Sequence, residues 1–296
     1  MGYLSGEKIM AIPRPPKKIA SAITKPKIAP PKPVKKVFTT EDWDGSGEGE
    51  KIIIYGNSGM GKSTLASMAP TPVFIGLDDG GRKLKHPKTG KLLKRVPGIE
   101  NYGDVRTALQ QFDLFDDYET VVIDTVTELQ DVAIPWMLDN IAGPKGTVAK
   151  NIVDYGYNKG WDHLYDVMKY VLNDCDALIK RGKNVILVAQ SHPIKIANAG
   201  GDDFLCEAPR LYAGNPSIEA AYHAWADHIL RIAYTDTRVK EKKASSANER
   251  GIFTFPEVFY RAKSRWLAEV LGDVSTVSFE AKDDDSIWSF MFGGVK

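Results

Sequence analysis

Short apolar runs alternate with helical patterns along most of the chain. Each run is four to eight residues long, which is typical of a buried strand. The runs lie at 52–55, 73–77, 120–123, 184–189 and 225–232. Apolar residues also recur every three or four positions from Trp161 to Ile179, which predicts a long helix with its apolar stripe in the core. Shorter helices are predicted at 64–69 and 105–115. The alternation predicts an α/β fold, a three-layer sandwich around a mainly parallel sheet.

The first apolar run leads directly into the pattern G-x-x-x-x-G-K-S and then into a predicted helix. This strand–loop–helix context is that of a phosphate-binding loop, whose backbone N–H groups and helix N-terminus bind phosphate oxygens. We expect Lys62 to contact the β- and γ-phosphates and Ser63 to bind Mg²⁺. The predicted nucleotide contacts are Gly56, Asn57, Ser58, Gly59, Met60, Gly61, Lys62, Ser63 and Thr64.

Polar side chains follow three further predicted strands. Asp124 ends the run at 120–123, a Walker B pattern in which the carboxylate holds Mg²⁺ through water. Asp78 and Asp79 follow the run at 73–77, at the edge where open α/β sheets bind ligands. One of them is predicted to orient the attacking water, and a turn or helix cap is the alternative. Gln190 ends the run at 184–189 and is predicted to sense the γ-phosphate.

The net charge of +1 conceals an uneven distribution. Residues 1–40 hold nine Lys or Arg, one Glu and seven Pro, so their net charge is 9 − 1 = +8. Such a segment buries too little apolar surface to fold, and we predict a disordered basic tail at 1–45. It serves either nucleic-acid attachment or solubility. A second basic segment, 82–95, is predicted to form a hairpin turning at Thr89–Gly90, and it either touches nucleic acid or is a solvated loop.

The remaining chain is predicted to be one nucleotide-binding domain at 46–275, followed by an acidic and aromatic segment at 276–296. That segment is expected to dock on a partner or on its own domain. The two cysteines, Cys175 and Cys206, are far apart, which favours a reducing compartment. The sequence has no apolar run long enough to span a membrane and no signal-peptide core, so a cytoplasmic protein is expected. The histidine spacing predicts no structural metal.

Taken together, these motifs resemble the RecA-like branch of the P-loop ATPases, and more specifically the short phage RecA-like family linked to single-strand annealing and recombination. The resemblance covers residues 51–266. Besides the phosphate loop, it is carried by Asp78-Asp79-Gly80-Gly81, Asp154-Tyr155-Gly156, the strand ending at Gln190, Trp225-Ala226-Asp227 and Arg261-Ala262-Lys263-Ser264-Arg265-Trp266. The last stretch resembles the Lys-Asn-Arg-Phe-Gly motif of bacterial RadA proteins.

The resemblance implies ATP and Mg²⁺ as cofactors, a homo-oligomer and single-stranded DNA as partner. It implies that Lys263 and Arg265 reach an ATP across a subunit interface, and that the loops at 140–160 and 193–216 meet DNA. Asp79 matches the family's catalytic Glu and is one methylene shorter. The function expected is ATP hydrolysis coupled to single-stranded DNA in phage-type recombination. The alternative is a slow or non-hydrolysing ATP-gated loading factor that recruits replication or recombination proteins through its tails. A small-molecule kinase is less well supported.

Overall fold

The computed structural model describes residues 38–40, 47–77, 83–235, 237–240, 243–246, 249–272 and 274–293. The chain divides into two units, Met1–Asp44 and Gly45–Lys296. In the first unit only residues 38–40 are described, and they have no regular secondary structure. The predicted basic tail therefore lies almost entirely outside the described residues.

The second unit contains the helices and strands. In chain order they are β1 (Lys51–Gly56), α1 (Lys62–Ala66), β2 (Pro72–Gly76), α2 (Tyr102–Gln110), β3 (Thr120–Asp124), α3 (Val126–Asn140), α4 (Lys159–Ile179), β4 (Asn184–Ile196), β5 (Phe204–Pro209), α5 (Ile218–Trp225), β6 (His228–Tyr234), β7 (Thr237–Lys240), β8 (Lys243–Ser246), β9 (Arg250–Phe253), β10 (Lys263–Ser264), α6 (Leu267–Leu271), β11 (Thr276–Ser278) and α7 (Ser286–Phe292). Short 3₁₀ turns lie at Phe112–Phe115, Pro144–Gly146 and Ile152–Tyr155.

Within the described residues, the main sheet has nine strands. Seven form the order β11-β9-β6-β1-β4-β3-β2, while β10 pairs with β6 and β5 pairs with β4. The five strands from β6 to β2 are parallel, and β9 and β11 continue the sheet antiparallel. The loops that follow β1 and β3 therefore meet at one edge of the sheet, beside Gln190, the last residue of β4 that pairs with β1. Open α/β sheets bind ligands at this edge.

Alternate residues of each strand enter opposite layers, as the two-residue period of a strand requires. In β1, Ile53 and Tyr55 pack with α2, α3, α4 and α5, whereas Ile52 and Ile54 pack with α1, α6 and α7. Two helical layers thus cover the two faces of the sheet. The predicted α/β three-layer sandwich with a mainly parallel sheet is confirmed.

Two local predictions are confirmed with shifted ends. The long helix predicted from Trp161 is α4, which begins two residues earlier at Lys159. The basic segment turns back as predicted, because His86 N donates to Lys91 O at 2.9 Å and Gly90 has a φ of +66°. We call residues 83–95 the basic hairpin; Arg82 lies outside the described residues.

The prediction of a long loop at 193–216 is wrong. β4 continues beyond the edge of the sheet to Ile196 and pairs antiparallel with β5, from Ser191 opposite Pro209 to Ile196 opposite Phe204. One face of this β4–β5 hairpin forms a small apolar cluster of Ile194, Ile196, Phe204, Cys206 and Ala208. The period of two on each side of the Gly- and Asp-rich tip is a strand pattern, and the composition of the tip obscured it.

The described part of the acidic and aromatic segment predicted at 276–296, residues 276–293, packs on its own domain. β11 pairs with β9, and α7 places Ile287, Trp288 and Met291 in the apolar layer around α1. The indole Nε1 of Trp288 donates to Leu65 O at 2.8 Å. In the part of the chain that the structure describes, no helix is long and apolar enough to cross a membrane. No group of three or more His, Cys, Asp and Glu there is arranged to hold a metal ion.

Candidate functional site

The loop between β1 and α1 encloses a cavity of about 320 Å³, which we call the phosphate cavity. Its walls come from this loop, from the carboxyl end of β3, from the middle of β4 and from the basic hairpin. The lining residues are Ser58, Gly59, Gly61, Lys62, Ser63, Thr64, Leu84, Asp124, Thr125 and Gln190. Four segments that are separate in sequence thus converge here.

Two glycines of the loop are required by the structure. A Cβ atom at Gly56 would lie 2.4 Å from Ile232 O, because β6 approaches β1 closely at this point. Gly61 has a φ of +98°, in the left-handed region that side chains other than hydrogen disfavour. Gly56 therefore serves strand packing, and Gly61 allows the loop to turn into α1.

Lys62 is buried at the base of the phosphate cavity, with 6% of its surface exposed. Its ammonium donates hydrogen bonds to Gly56 O at 2.9 Å, Asn57 O at 3.0 Å and Gln190 Oε1 at 3.0 Å. Burial lowers the pKa of Lys62 from its ordinary value, and the negative charge of Asp124 opposes this shift. The lysine is thus a fixed cation directed at the loop that is predicted to hold phosphate.

Asp124 and Gln190 reach the same cavity from neighbouring strands. β4 lies between β1 and β3, so Gln190 is opposite Gly56 while Asp124 is opposite Val188. The backbone N–H of Gln190 donates to Thr127 Oγ1 at 3.0 Å, which fixes β4 against α3 at the point where β4 leaves β1. The structure therefore brings together Lys62, Asp124 and Gln190, three residues that the sequence assigned to one site.

Thr125 is a lining residue that the sequence prediction missed. It is the N-cap of α3, and its hydroxyl accepts a hydrogen bond from Glu128 N at 3.1 Å. The spacing of Thr125 and Glu128 matches the capping-box pattern, which was visible in the sequence. Leu84 was missed as well, because nothing local indicates that the basic hairpin approaches the loop.

The residues present fit a magnesium nucleotide. Oxygen ligands are the ones that Mg²⁺ prefers, and the Ser63 hydroxyl and the Asp124 carboxylate both line the cavity. The buried ammonium of Lys62 supplies positive charge for phosphate oxygens. The cavity also lies within the range of small-molecule sites, about 300–1,000 Å³.

The other predicted loop contacts have different environments. Asn57 uses its backbone carbonyl to accept from Lys62, while the side chain of Met60 is buried in the apolar layer around α1. Asp78 and Asp79 lie outside the described residues, so the assignment of Asp79 as the catalytic carboxylate stays a prediction.

Lys263 and Arg265 are not brought to the phosphate cavity of their own chain. β10 pairs antiparallel with the amino-terminal end of β6, at the opposite edge of the sheet from the loop after β1. The ammonium of Lys263 donates to the carbonyl oxygens of His223, Ala224 and Ala226 at the end of α5. Arg265 Nε lies 2.7 Å from Asp227 Oδ1. Their predicted roles at a neighbouring subunit's nucleotide stay predictions.

Comparisons with known proteins identify the family. Solved structures similar to the chain include the RadB recombinase, at 13% identity and a TM-score of 0.39, covering 70% of this chain and 80% of that one. Another is the KaiC-like protein PH0186 from Pyrococcus horikoshii OT3, also at 13% identity and a TM-score of 0.39, covering 78% of this chain and 90% of that one. No curated protein matches the sequence. The model of the AAA domain family matches residues 48–266, well over half of the chain, and the chain therefore belongs to this family.

Proposed function

We propose that this protein binds ATP with Mg²⁺ in the phosphate cavity and hydrolyses it, and that hydrolysis accompanies the handling of single-stranded DNA. The observation that supports the nucleotide site best is the hydrogen bond from Lys62 Nζ to Gln190 Oε1, beside Asp124. It joins the buried Lys62 to the half-buried Gln190, the last residue of β4 that pairs with β1.

Each side chain has a defined task in this proposal. Lys62 stabilises the charge that develops on the β- and γ-phosphates. Ser63 and Asp124 hold Mg²⁺, which neutralises phosphate charge when bound. Gln190 exchanges its bond with Lys62 for contact with the terminal phosphate, and Asp79 orients the attacking water.

Two exposed surfaces support the DNA partner. In the loop at 140–160, Tyr157 is fully exposed, and Val148 and Val153 are exposed as well. Single-stranded nucleic acid is commonly bound by aromatic side chains that stack on bases beside a cationic groove. The basic hairpin is the second surface, because its six Lys and Arg residues at 83, 85, 88, 91, 94 and 95 are all exposed. These surfaces suit a flexible polyanion with accessible bases.

The proposal extends to a homo-oligomer in which Arg265 and Lys263 act on the ATP of an adjacent subunit. It also includes phage-type recombination or annealing as the process served. In the alternative, the same ATP site gates a loading factor that hydrolyses slowly and recruits partners. The rate of turnover with and without DNA distinguishes the two.

The test measures ATP binding and phosphate release for the wild type, Lys62→Ala and the control Lys169→Ala, which removes an exposed lysine on α4. Hydrogen bonds to charged groups contribute about 1.5–3 kcal/mol, so Lys62→Ala should weaken ATP binding or turnover roughly 10- to 150-fold. The control should match the wild type. Normal activity in folded Lys62→Ala would end the proposal for this cavity, and turnover unaffected by single-stranded DNA would favour the loading factor.

A further inference from the structure

An acidic stretch near the end of the chain lies against the basic hairpin. Residues 83–95 contain six Lys or Arg and no Asp or Glu. Residues 280–285 contain one Lys and four acidic residues, so their net charge is 1 − 4 = −3. The two segments meet at an ion pair, in which Lys88 Nζ lies 2.5 Å from Asp285 Oδ2. We call residues 283–285 the acidic run.

The basic hairpin is anchored at its base and closed at its turn. Phe74 N, on the edge strand β2, donates to Lys94 O at 2.9 Å, which attaches the returning half of the hairpin to the sheet. The turn that carries Lys88 is closed by a hydrogen bond from Gly90 N to His86 O at 2.8 Å. Folding of the domain therefore sets the position of Lys88.

The acidic run is anchored on both sides. Before it, the Phe279 side chain is fully buried, and the guanidinium of Arg250 donates to Glu280 O at 3.0 Å. After it, Trp288 N donates to Asp285 O at 2.9 Å, and the Trp288 ring is buried in the apolar layer around α1. The fold thus presents the Asp285 carboxylate to the hairpin at a high effective concentration.

The ion pair lies at the surface, where another anion can compete for Lys88. The side chain of Lys88 is 45% exposed and that of Asp285 is 34% exposed. An exposed pair of this kind changes an equilibrium constant by at most about fivefold. A DNA phosphate that binds Lys88 must replace Asp285, and the carboxylates of Asp283 and Asp284 repel it. The ion pair and a bound phosphate therefore exclude each other at this lysine.

We propose that the acidic run is an internal competitor for the basic hairpin. It holds Lys88 in the free protein, and it lowers the affinity of the hairpin for the phosphates of single-stranded DNA until the DNA displaces it. The inference rests on the proposed function, since it adds a regulator to a surface that is assigned there to DNA. The acidic run lies beyond residue 266, where the family match ends, so the regulation belongs to this chain's own C-terminal segment.

The test measures the binding of fluorescently labelled oligothymidylate by anisotropy over a range of salt concentrations. The variants are Asp285→Asn and the control Asp166→Asn, which removes an exposed carboxylate on α4. Asp285→Asn should strengthen binding about two- to fivefold. It should also steepen the slope of log affinity against log salt by about 0.7, because Lys88 then neutralises one further phosphate. If Asp285→Asn has no more effect than Asp166→Asn, the proposal is overturned.

A double-mutant cycle separates the release of Lys88 from a general gain of positive charge. Lys88→Gln should hardly weaken binding in the wild type, where Asp285 holds the lysine, and should weaken it about two- to fivefold in Asp285→Asn. Lys91→Gln, a change of another exposed lysine of the hairpin, should have the same effect in both backgrounds. Equal effects of Lys88→Gln in the two backgrounds refute the competition.

Failure of the proposed DNA partner has a separate signature. Inorganic polyphosphate carries a chain of phosphate charges without bases, so it reports on the hairpin alone. If polyphosphate shows the Asp285→Asn effect while every variant leaves oligothymidylate unbound, the competition stands and the DNA partner is refuted. If neither ligand responds to Asp285→Asn, the competition is refuted, whatever the affinity for DNA.

Discussion

Replacing Lys263 with Met tests its role within its own chain, where it caps the end of α5. This role is separate from the proposed contact of Lys263 with the ATP of a neighbouring subunit. In the structure its ammonium donates to His223 O at 3.1 Å, Ala224 O at 3.3 Å and Ala226 O at 2.5 Å. These carbonyls end α5, where the helix dipole also favours a cation. Burial, with the charge of Arg265, lowers the pKa of Lys263, which fits a cation held inside the protein surface.

The cost of Lys263→Met follows from these contacts. Methionine nearly keeps the length of the side chain and removes the three hydrogen bonds of the ammonium. Leaving partly buried carbonyls without donors costs about 1–3 kcal/mol. For a domain of this size each kcal/mol lowers the melting temperature by about 2–4 °C, so a loss of roughly 2–12 °C is expected. Arg265→Met is the matched control. Its ion pair with Asp227 is 59% exposed on the arginine side, and such pairs contribute about 0–1 kcal/mol.

Thermal unfolding by circular dichroism and steady-state phosphate release are measured for both variants. If Lys263 caps α5, the melting temperature should fall in Lys263→Met and should hardly change in Arg265→Met. An unchanged melting temperature in Lys263→Met would refute the capping argument. Action across an interface is tested separately, by mixing Arg265→Ala with Lys62→Ala. Mixed interfaces then pair one intact loop with one intact arginine and should regain activity. Two variants that co-assemble and stay inactive count against that role.

Three further outcomes are expected. Asp79→Asn should lower kcat more than ATP affinity, because a carboxylate that positions water acts mainly in the transition state. If Asp79→Asn hydrolyses ATP normally and Asp78→Asn is inactive, the water-positioning role belongs to Asp78. If the Tyr157 ring stacks on a base, an interaction that contributes about 1–3 kcal/mol, Tyr157→Ala should weaken binding of single-stranded DNA roughly 5- to 150-fold. Tyr170→Ala, a change of an exposed tyrosine on α4, should not weaken it. Equal effects of the two variants in a filter-binding assay would exclude the stacking role. Burial raises the pKa of Glu219, and the charge of Arg261 opposes this shift. The folded state therefore holds the carboxyl proton more tightly than the unfolded state does, and it loses stability as pH rises from the ordinary pKa through the raised one. Glu219→Gln should therefore be more stable than the wild type at pH 7 in urea unfolding, with the difference vanishing below pH ~4, and a variant that is less stable at pH 7 would contradict this sign.

The sequence predicted the parts of the site that are local. The loop from Gly56 to Thr64 is a contiguous motif whose strand and helix are adjacent in sequence, so its conformation follows from neighbours. Asp124 and Gln190 were predicted because each ends an apolar run. In a parallel sheet all such ends lie at one edge, whatever the order of the strands.

The parts that were not predicted depend on contacts between distant segments. The guanidinium of Arg250, at the start of β9, donates to Met60 O in the loop after β1 at 3.0 Å. This contact depends on the position of β9 two strands away from β1, an order that no local pattern specifies. Lys263 shares a strand pattern with Arg265, yet its partners are set by where α5 ends. The β4–β5 hairpin shows a different limit, because its alternating apolar residues flank a Gly- and Asp-rich tip whose composition is typical of a loop.

The hydrogen bond between Trp288 and Leu65 has a consequence for the synthesis of the protein. The two residues are 223 positions apart, and they join α7 to the helix that follows the phosphate loop. At translation rates of about 5–20 residues per second, roughly 10–45 s separate the emergence of one from that of the other. During this time α7 has not yet been synthesised, so the apolar side of α1 cannot pack against it. The nascent chain therefore carries an incomplete core that chaperones can bind, and this layer closes only after α7 has been synthesised.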